Sequence, residues 1–282
     1  MPTEPAPSEP GEPAEPAEPE AQAPPGEQPV PAEVAAAQEA ITNGRKLLAE
    51  AKYAEALEEF DAAAKFVPND PAPHFFRGMA LRMLDRYDEA IEAYTAAIQM
   101  DRDDGELFLR RGIVWFYKGE YAIAVIDFED AAGLMFDDPL PELWKGLAFA
   151  RMGRLLDAIN GYTAALRQDI NYAPAFTNRG LAYLAINDPE KAMWDFQHAI
   201  RNDPHNASAY FNRAVAQTRL GRTQHAIDSY TQAIRLDPKY AAAYFNRALV
   251  YERLGEQDKA SNDRAKALEL NPQIESQLVS AG

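Results

Sequence analysis

The chain has 282 residues, 47% of them hydrophobic and 26% charged, with a formal net charge of −16 at pH 7. Acidity on that scale argues against a nucleic-acid ligand, whose phosphates would be repelled, and the absence of cysteine excludes disulfides and thiol chemistry. No run approaches the ~18 consecutive apolar residues of a membrane-spanning helix.

The chain opens on a segment of distinct composition. Eleven of the 21 prolines fall within the first 31 residues, with EPAEPAEPE at the centre, and no lysine or arginine precedes Arg45. Such a segment cannot bury a core, so residues 1–36 are expected to be a disordered, polyproline-like tail. The plainer reading is a solubilising tether; a specific ligand motif is the alternative. No basic, apolar leader opens the chain, which makes cytoplasmic the default compartment. A proline-rich acidic tether also suits the stretch just after a removed signal or lipid anchor, and the protein would then be exported or membrane-tethered.

From Ala37 the chain becomes periodic. Ala56, Ala90, Ala124, Ala158, Ala192, Ala226 and Ala260 step by 34 residues, and so do Ala63, Ala97, Ala131, Ala165, Ala199, Ala233 and Ala267. Seven units follow without insertion or deletion: 37–70, 71–104, 105–138, 139–172, 173–206, 207–240 and 241–274, with 275–282 as a short tail. The eighth position holds Gly44, Gly78, Gly112, Gly146, Gly180, Ala214 and Ala248; the fifteenth includes Gly119, Gly153, Gly221 and Gly255. The twenty-fourth is aromatic at Phe60, Tyr94, Phe128, Tyr162, Phe196 and Tyr230, and the thirty-second is Pro68, Pro204, Pro238 and Pro272. Small residues let two helices approach closely, the aromatic lies on the same helical face as the alanine before it, and proline stops the second helix. A fixed period of this length is the mark of a stacked repeat array.

In these positions the chain resembles the tetratricopeptide repeat family over residues 37–274. The resemblance implies an all-α fold, a right-handed α-solenoid of seven tandem helix-turn-helix units, working as a protein-binding surface. Three departures stand out. Arg102, Phe136 and Ile170 replace the proline at consecutive junctions, and Pro139 and Pro141 open the fourth unit, so Leu134 to Pro141 is a candidate hinge. The last unit has Ser261, Asn262 and Arg264 where earlier units are apolar or aromatic, as a terminal cap requires.

Residues suited to chemistry are sparse. His74, His198, His205 and His225 have no carboxylate or second histidine at metal-ligand spacing on a shared face, and His74 is expected to be a packed ring. DRDDGE from Asp101 has its glycine one place early for a calcium loop, and Gly112 stands where the closing glutamate belongs. No nucleophile elbow or phosphate-binding loop occurs. The expectation is a protein that is not an enzyme and has no cofactor, metal or catalytic residue. The row Arg77, Arg111, Lys145, Arg179, Arg213 and Arg247 could suggest an anion site. Glu59, Asp127, Asp195 and Asp263 lie at matching height on the second helices, so salt bridges worth ~0–1 kcal/mol each are the expected use.

The family resemblance also implies that first helices line a concave groove, with positions 2, 5, 6, 9, 12 and 13 pointing into it. Units two to four then present Phe76, Met79, Met83, Arg110, Ile113, Phe116, Tyr117, Trp144 and Leu147. Methionines and aromatics on a groove suit an adaptable hydrophobic partner, although ninth-position residues also fit as packing between neighbouring helices. Units five to seven present Asn178, Asn212 and Asn246, one at each sixth position. A carboxamide donates and accepts, so such a row can hold the backbone of an extended peptide; hydrogen bonding between units is the other reading. Further arginines, Arg82, Arg151, Arg219 and Arg253, project inward and would favour acidic peptides. The Lys/Asn/Arg set by which some family members clamp a chaperone's terminal carboxylate is missing: Pro174, Ser208 and Ala242 hold the second positions of units five to seven. The reading is a scaffold or adaptor that binds a peptide or helical segment of another protein in the groove. The alternative is a structural protein that assembles with copies of itself as a homo-oligomer.

Overall fold

The computed structural model describes residues 31–275. The tail reading of residues 1–30, and of the residues after 275, therefore lies outside the described residues. Those described form α-helices in chain order: α1 (Ala32–Ala49), α2 (Tyr53–Phe66), α3 (Pro71–Met83), α4 (Tyr87–Met100), α5 (Gly105–Lys118), α6 (Tyr121–Leu134) and α7 (Leu140–Arg151). The second half continues with α8 (Leu155–Gln168), α9 (Ala173–Ala185), α10 (Pro189–Asn202), α11 (Ala207–Arg219), α12 (Thr223–Leu236), α13 (Ala241–Arg253) and α14 (Gln257–Leu270). The tail boundary set at residue 36 moves: α1 already begins at Ala32, because Glu33 and the alanines after it favour helix and no proline follows Pro31 in that stretch.

Each odd-numbered helix packs against the helix that follows it, and each pair stacks on the next. First helices of neighbouring units also touch one another along the whole stack, whereas second helices form no matching row. The stack therefore curves, with the first helices inside and the second helices outside.

Local chemistry explains the unit. Asp70, Asp104 and Asn206 cap α3, α5 and α11 by accepting the backbone N–H of Ala72, Glu106 and Ala209. This also accounts for DRDDGE, where Asp101 accepts from the N–H of Asp103 and Asp104 forms the cap. The turn between the helices needs a left-handed residue at the fifteenth position. All seven occupants have positive φ: Gly119, Gly153, Gly221 and Gly255 at 69–89°, and Ala51, Asp85 and Asn187 at 57–58°.

Inside each unit the twenty-fourth-position ring lies against the small eighth residue. A Cβ added to Gly44, Gly78, Gly112, Gly146 or Gly180 would come within 2.5–2.7 Å of a carbon of Phe60, Tyr94, Phe128, Tyr162 or Phe196. The rings thus fill the gap within their own unit first; Phe60 also stacks on Phe76 of the next, with centroids 5.4 Å apart. In unit four the helices approach so closely that a Cβ on Gly161 would meet the backbone of Gly146 at 2.9 Å.

The cation row turns inward, and it alternates. Arg111, Arg179 and Arg247, in odd units, make paired hydrogen bonds to Asp127, Asp195 and Asp263 of their own second helices. Each also donates to a threonine of the preceding unit: Thr95, Thr163 or Thr231. Even units carry Ala93, Gly161 and Ser229 in place of the aspartate. Arg77 instead pairs with Asp61 of the preceding unit at 2.8 Å, Arg213 bonds Gln197 of the preceding unit and Ser229, and Lys145 pairs with Glu142 on its own helix. Over units one to six the twenty-fourth position alternates in step, phenylalanine in odd units and tyrosine in even ones. The structural period is 34 residues; the polar seams repeat over two units.

The candidate hinge at Leu134 to Pro141 is instead closely packed. Met135 sits against Gly105 and joins Phe128, Trp144 and Phe149 in one cluster, and α6 packs on α7 as tightly as any two helices of adjacent units. Losing the proline leaves Phe136 and Ile170 71% and 75% exposed without opening the stack. At the far end Arg264 replaces the aromatic ring. Its guanidinium lies over the Phe245 ring and pairs with Glu252 and Glu275 at 2.7 and 2.9 Å. Ile274 closes the apolar end against Phe245 and Ala267.

Candidate functional site

The side chains expected in the groove divide into three groups. The tightest spans units three and four. Phe116 meets Trp144 edge to face at 5.3 Å, Tyr117 meets both at 6.0 and 6.3 Å, and Tyr121 joins Phe116 at 5.2 Å. Trp144 is held from behind by Phe128, with centroids 6.1 Å apart. Two guanidiniums flank the rings: Arg82 of unit two over Tyr117 at 5.9 Å, and Arg151 of unit four over Phe116 at 5.8 Å. Met83, 41% exposed, lies beside Arg82, and Tyr117 is 53% exposed. The helical repeat places these residues together because positions 6, 12 and 13 of successive first helices share the inner face.

The second group centres on Phe76. Its ring stacks on Phe60, meets Phe75 at 5.2 Å and lies under Arg45 at 5.5 Å. It borders a pocket of about 340 Å³ with Phe75, Leu107, Asp104 and Glu106. Met79 packs against the same cluster. Arg110, placed in the groove from the sequence, is bound to Glu106 on its own helix, so its charge is locally compensated. Ile113 corrects an expectation: it is 7% exposed and belongs to the core, because the ninth position faces the seam between neighbouring helices. Leu147 lies partly buried against the core of units four and five.

The third group is the asparagine row. Asn178 and Asn246 each donate an amide hydrogen to the carbonyl four residues back, Pro174 and Ala242, at 2.8 and 3.0 Å. Asn212 is partly buried at the equivalent place. Each such bond uses one amide hydrogen, and the carboxamide oxygen can still accept.

Sequence reasoning missed Tyr121 and Arg45; the tyrosine lies on a second helix, and Arg45 belongs to the unit before the ring it covers. It also missed three exposed apolar residues of the second helices, Ile126, Leu156 and Trp194, at 58%, 68% and 53% exposure. Among the described residues no helix is long and apolar enough to cross a membrane, and no group of three or more metal-ligand side chains comes together. His198 stacks on Trp194 and Phe176, and burial pushes both His198 and His74 below the ordinary histidine range.

Stacked helix pairs with a curved inner face define an α-solenoid of short tandem repeats. Family profiles described as tetratricopeptide repeat match residues 34–106, 84–134, 173–206, 196–228 and 241–274, and one described as TPR repeat matches 218–255. The chain belongs to the tetratricopeptide repeat family. No curated protein sequence matches it. Among solved structures, it is similar to the C-terminal part of a TPR repeat-containing protein from Cytophaga hutchinsonii: 21% identity, TM-score 0.69, covering 82% of this chain and 95% of that one. It is similar to YrrB, a TPR protein with an unusual peptide-binding site: 19% identity, TM-score 0.58, covering 68% of this chain and 98% of that one. MamA is similar at 24% identity and TM-score 0.56, covering 61% and 94%. At these identities the likeness is one of fold.

Proposed function

We propose that this protein is an interaction scaffold whose inner groove holds a peptide or helical segment of another protein, anchored on the aromatic cluster of units two to four. The observation that carries the reading is the assembly of Phe116, Tyr117 and Trp144 with Arg82 and Arg151, five side chains from three units on one face. Rings backed by core and open on one side are the usual anchors of interfaces. A fold relative with a peptide-binding site supports the same use of the stack. Asn178, Asn212 and Asn246 extend the groove as polar contacts for the ligand's backbone. Affinity capture with the intact chain, with Tyr117→Ala/Trp144→Ala and with Asn178→Ala/Asn212→Ala/Asn246→Ala tests the proposal. The aromatic pair is expected to lose partners, and the asparagine set to weaken them by up to about a hundredfold if each contact contributes ~1 kcal/mol. Retention of every partner by both variants would move the interface off the groove.

One observation favours the second reading, self-association. Ile126, Leu156 and Trp194 are exposed on outer helices of three successive units. That reading predicts a mass in light scattering that rises with concentration and falls to the monomer in Ile126→Ser/Leu156→Ser.

A further inference from the structure

The acidic N-terminal segment has a periodicity of its own. Glu9, Glu12, Glu15 and Glu18 recur every third residue, each followed directly by Pro10, Pro13, Pro16 or Pro19. A polyproline II helix has three residues per turn and rises ~3.1 Å per residue. In that conformation the glutamates form one stripe, the prolines a second, and Gly11, Ala14 and Ala17 a third. Each stripe repeats every ~9.3 Å, close to the ~8–10 Å between packed helices. A strand of this sequence laid across the stack would meet successive first helices in step.

The inner face offers what the stripes need. Phe116, Tyr117 and Trp144 present ring surface of the kind that proline-rich strands dock against. Arg82 and Arg151 place their guanidiniums over rings at both edges of the cluster. The complement is pronounced: seven glutamates and no lysine or arginine precede Ala32. Reach is sufficient. Residues 20–30 span up to about 35–40 Å when extended, while unit three lies two helix spacings, ~20 Å, from unit one.

We propose that residues 8–20 dock in the chain's own groove on the cluster of Phe116, Tyr117 and Trp144, with their glutamates toward Arg82 and Arg151, so that an outside partner must displace them. This rests on the reading of units two to four as a binding surface. Covalent linkage gives the segment an effective concentration of order 1 mM. Even a weak contact is then substantially occupied, and a competing ligand meets a partly filled groove.

The absence of cysteine makes the test direct. Ala14→Cys in the full chain, carrying a bimane fluorophore, reports contact with tryptophan, which quenches it at short range. The expected result is that Trp144→Phe brightens the label about twofold or more, as release of a contact at least half occupied at ~1 mM effective concentration requires. Trp194→Phe leaves it unchanged. Arg82→Ala/Arg151→Ala, which leaves the tryptophan in place, brightens it as well, and so does high salt. Circular dichroism checks that each variant remains helical. Equal brightness in all the variants overturns the proposal. Quenching that grows with protein concentration also overturns it, since the segment then visits a second copy. If the label ignores Trp144 while groove variants still lose captured partners, the groove reading stands and this one falls.

Discussion

Ala51 illustrates how strictly the repeat fixes backbone conformation. Its φ of 58° is left-handed, and so is that of every other fifteenth-position residue. An alanine there costs ~1–2 kcal/mol, while glycine gives back ~0.5–1 kcal/mol in unfolded-state freedom. Ala51→Gly should therefore stabilise the protein by about 0.5–1 kcal/mol in urea denaturation. Tyr94 is the opposite kind of residue. Its hydroxyl is buried without a hydrogen-bond partner, and burial pushes its pKa far above the ordinary tyrosine range. Tyr94→Phe should be neutral or stabilising by ~1 kcal/mol, since removing an unsatisfied group recovers its desolvation penalty. The glycines at four turns were visible in the sequence. The same conformation at Ala51, Asp85 and Asn187 was legible only through the register, since none of the three residue types demands it.

At the scale of helices, Arg179 clamps the two helices of its own unit through Asp195 and reaches the preceding unit through Thr163. Asp195 is fully buried and Asp127 nearly so. Burial pushes both carboxyls upward, and the facing guanidiniums pull them back. The interhelical salt bridges expected from the sequence are present, with largely buried carboxylates. A desolvated pair has little net value, but breaking it strands a charge. Arg179→Ala should cost about 3–5 kcal/mol, and Arg179→Met/Asp195→Leu should recover much of that loss, as thermal unfolding will reveal. The pairing in odd units was legible because positions seven and twenty-three stand opposite each other in every unit. The partner of Arg77 was not: Ala93 occupies its expected position, and Asp61 reaches it from the unit before.

For the molecule as a whole, the energetics are those of a stack in which each unit touches only its neighbours. Damage should stay local. Arg264→Ala/Ile274→Ala removes the closing contacts on Phe245, and hydrogen exchange is expected to accelerate in α13 and α14 while protection in α3 to α8 is unchanged. The groove was legible in outline for a related reason: once the register is known, the inner positions follow. Its composition in detail was not. Trp144 and Tyr117 assemble with Arg82 and Arg151 only because side chains lean across unit boundaries. Ile113 sinks into the seam, the packing role open to ninth-position residues, and Arg110 turns back to Glu106 one helical turn before it.

The alternation of polar seams carries a consequence for how such a chain can change length. Excising residues 139–206, a neighbouring even and odd unit, joins unit three to unit six, and Glu129 meets an even-unit seam of the kind that Asp61 and Gln197 already serve. Excising 139–172 alone sets Glu129 where Thr163 stood, beside a guanidinium already committed to Asp195. Two carboxylates would then crowd one buried cation. The smallest piece this protein can shed or duplicate without a flawed joint is the pair of units, even though the helices themselves count in ones.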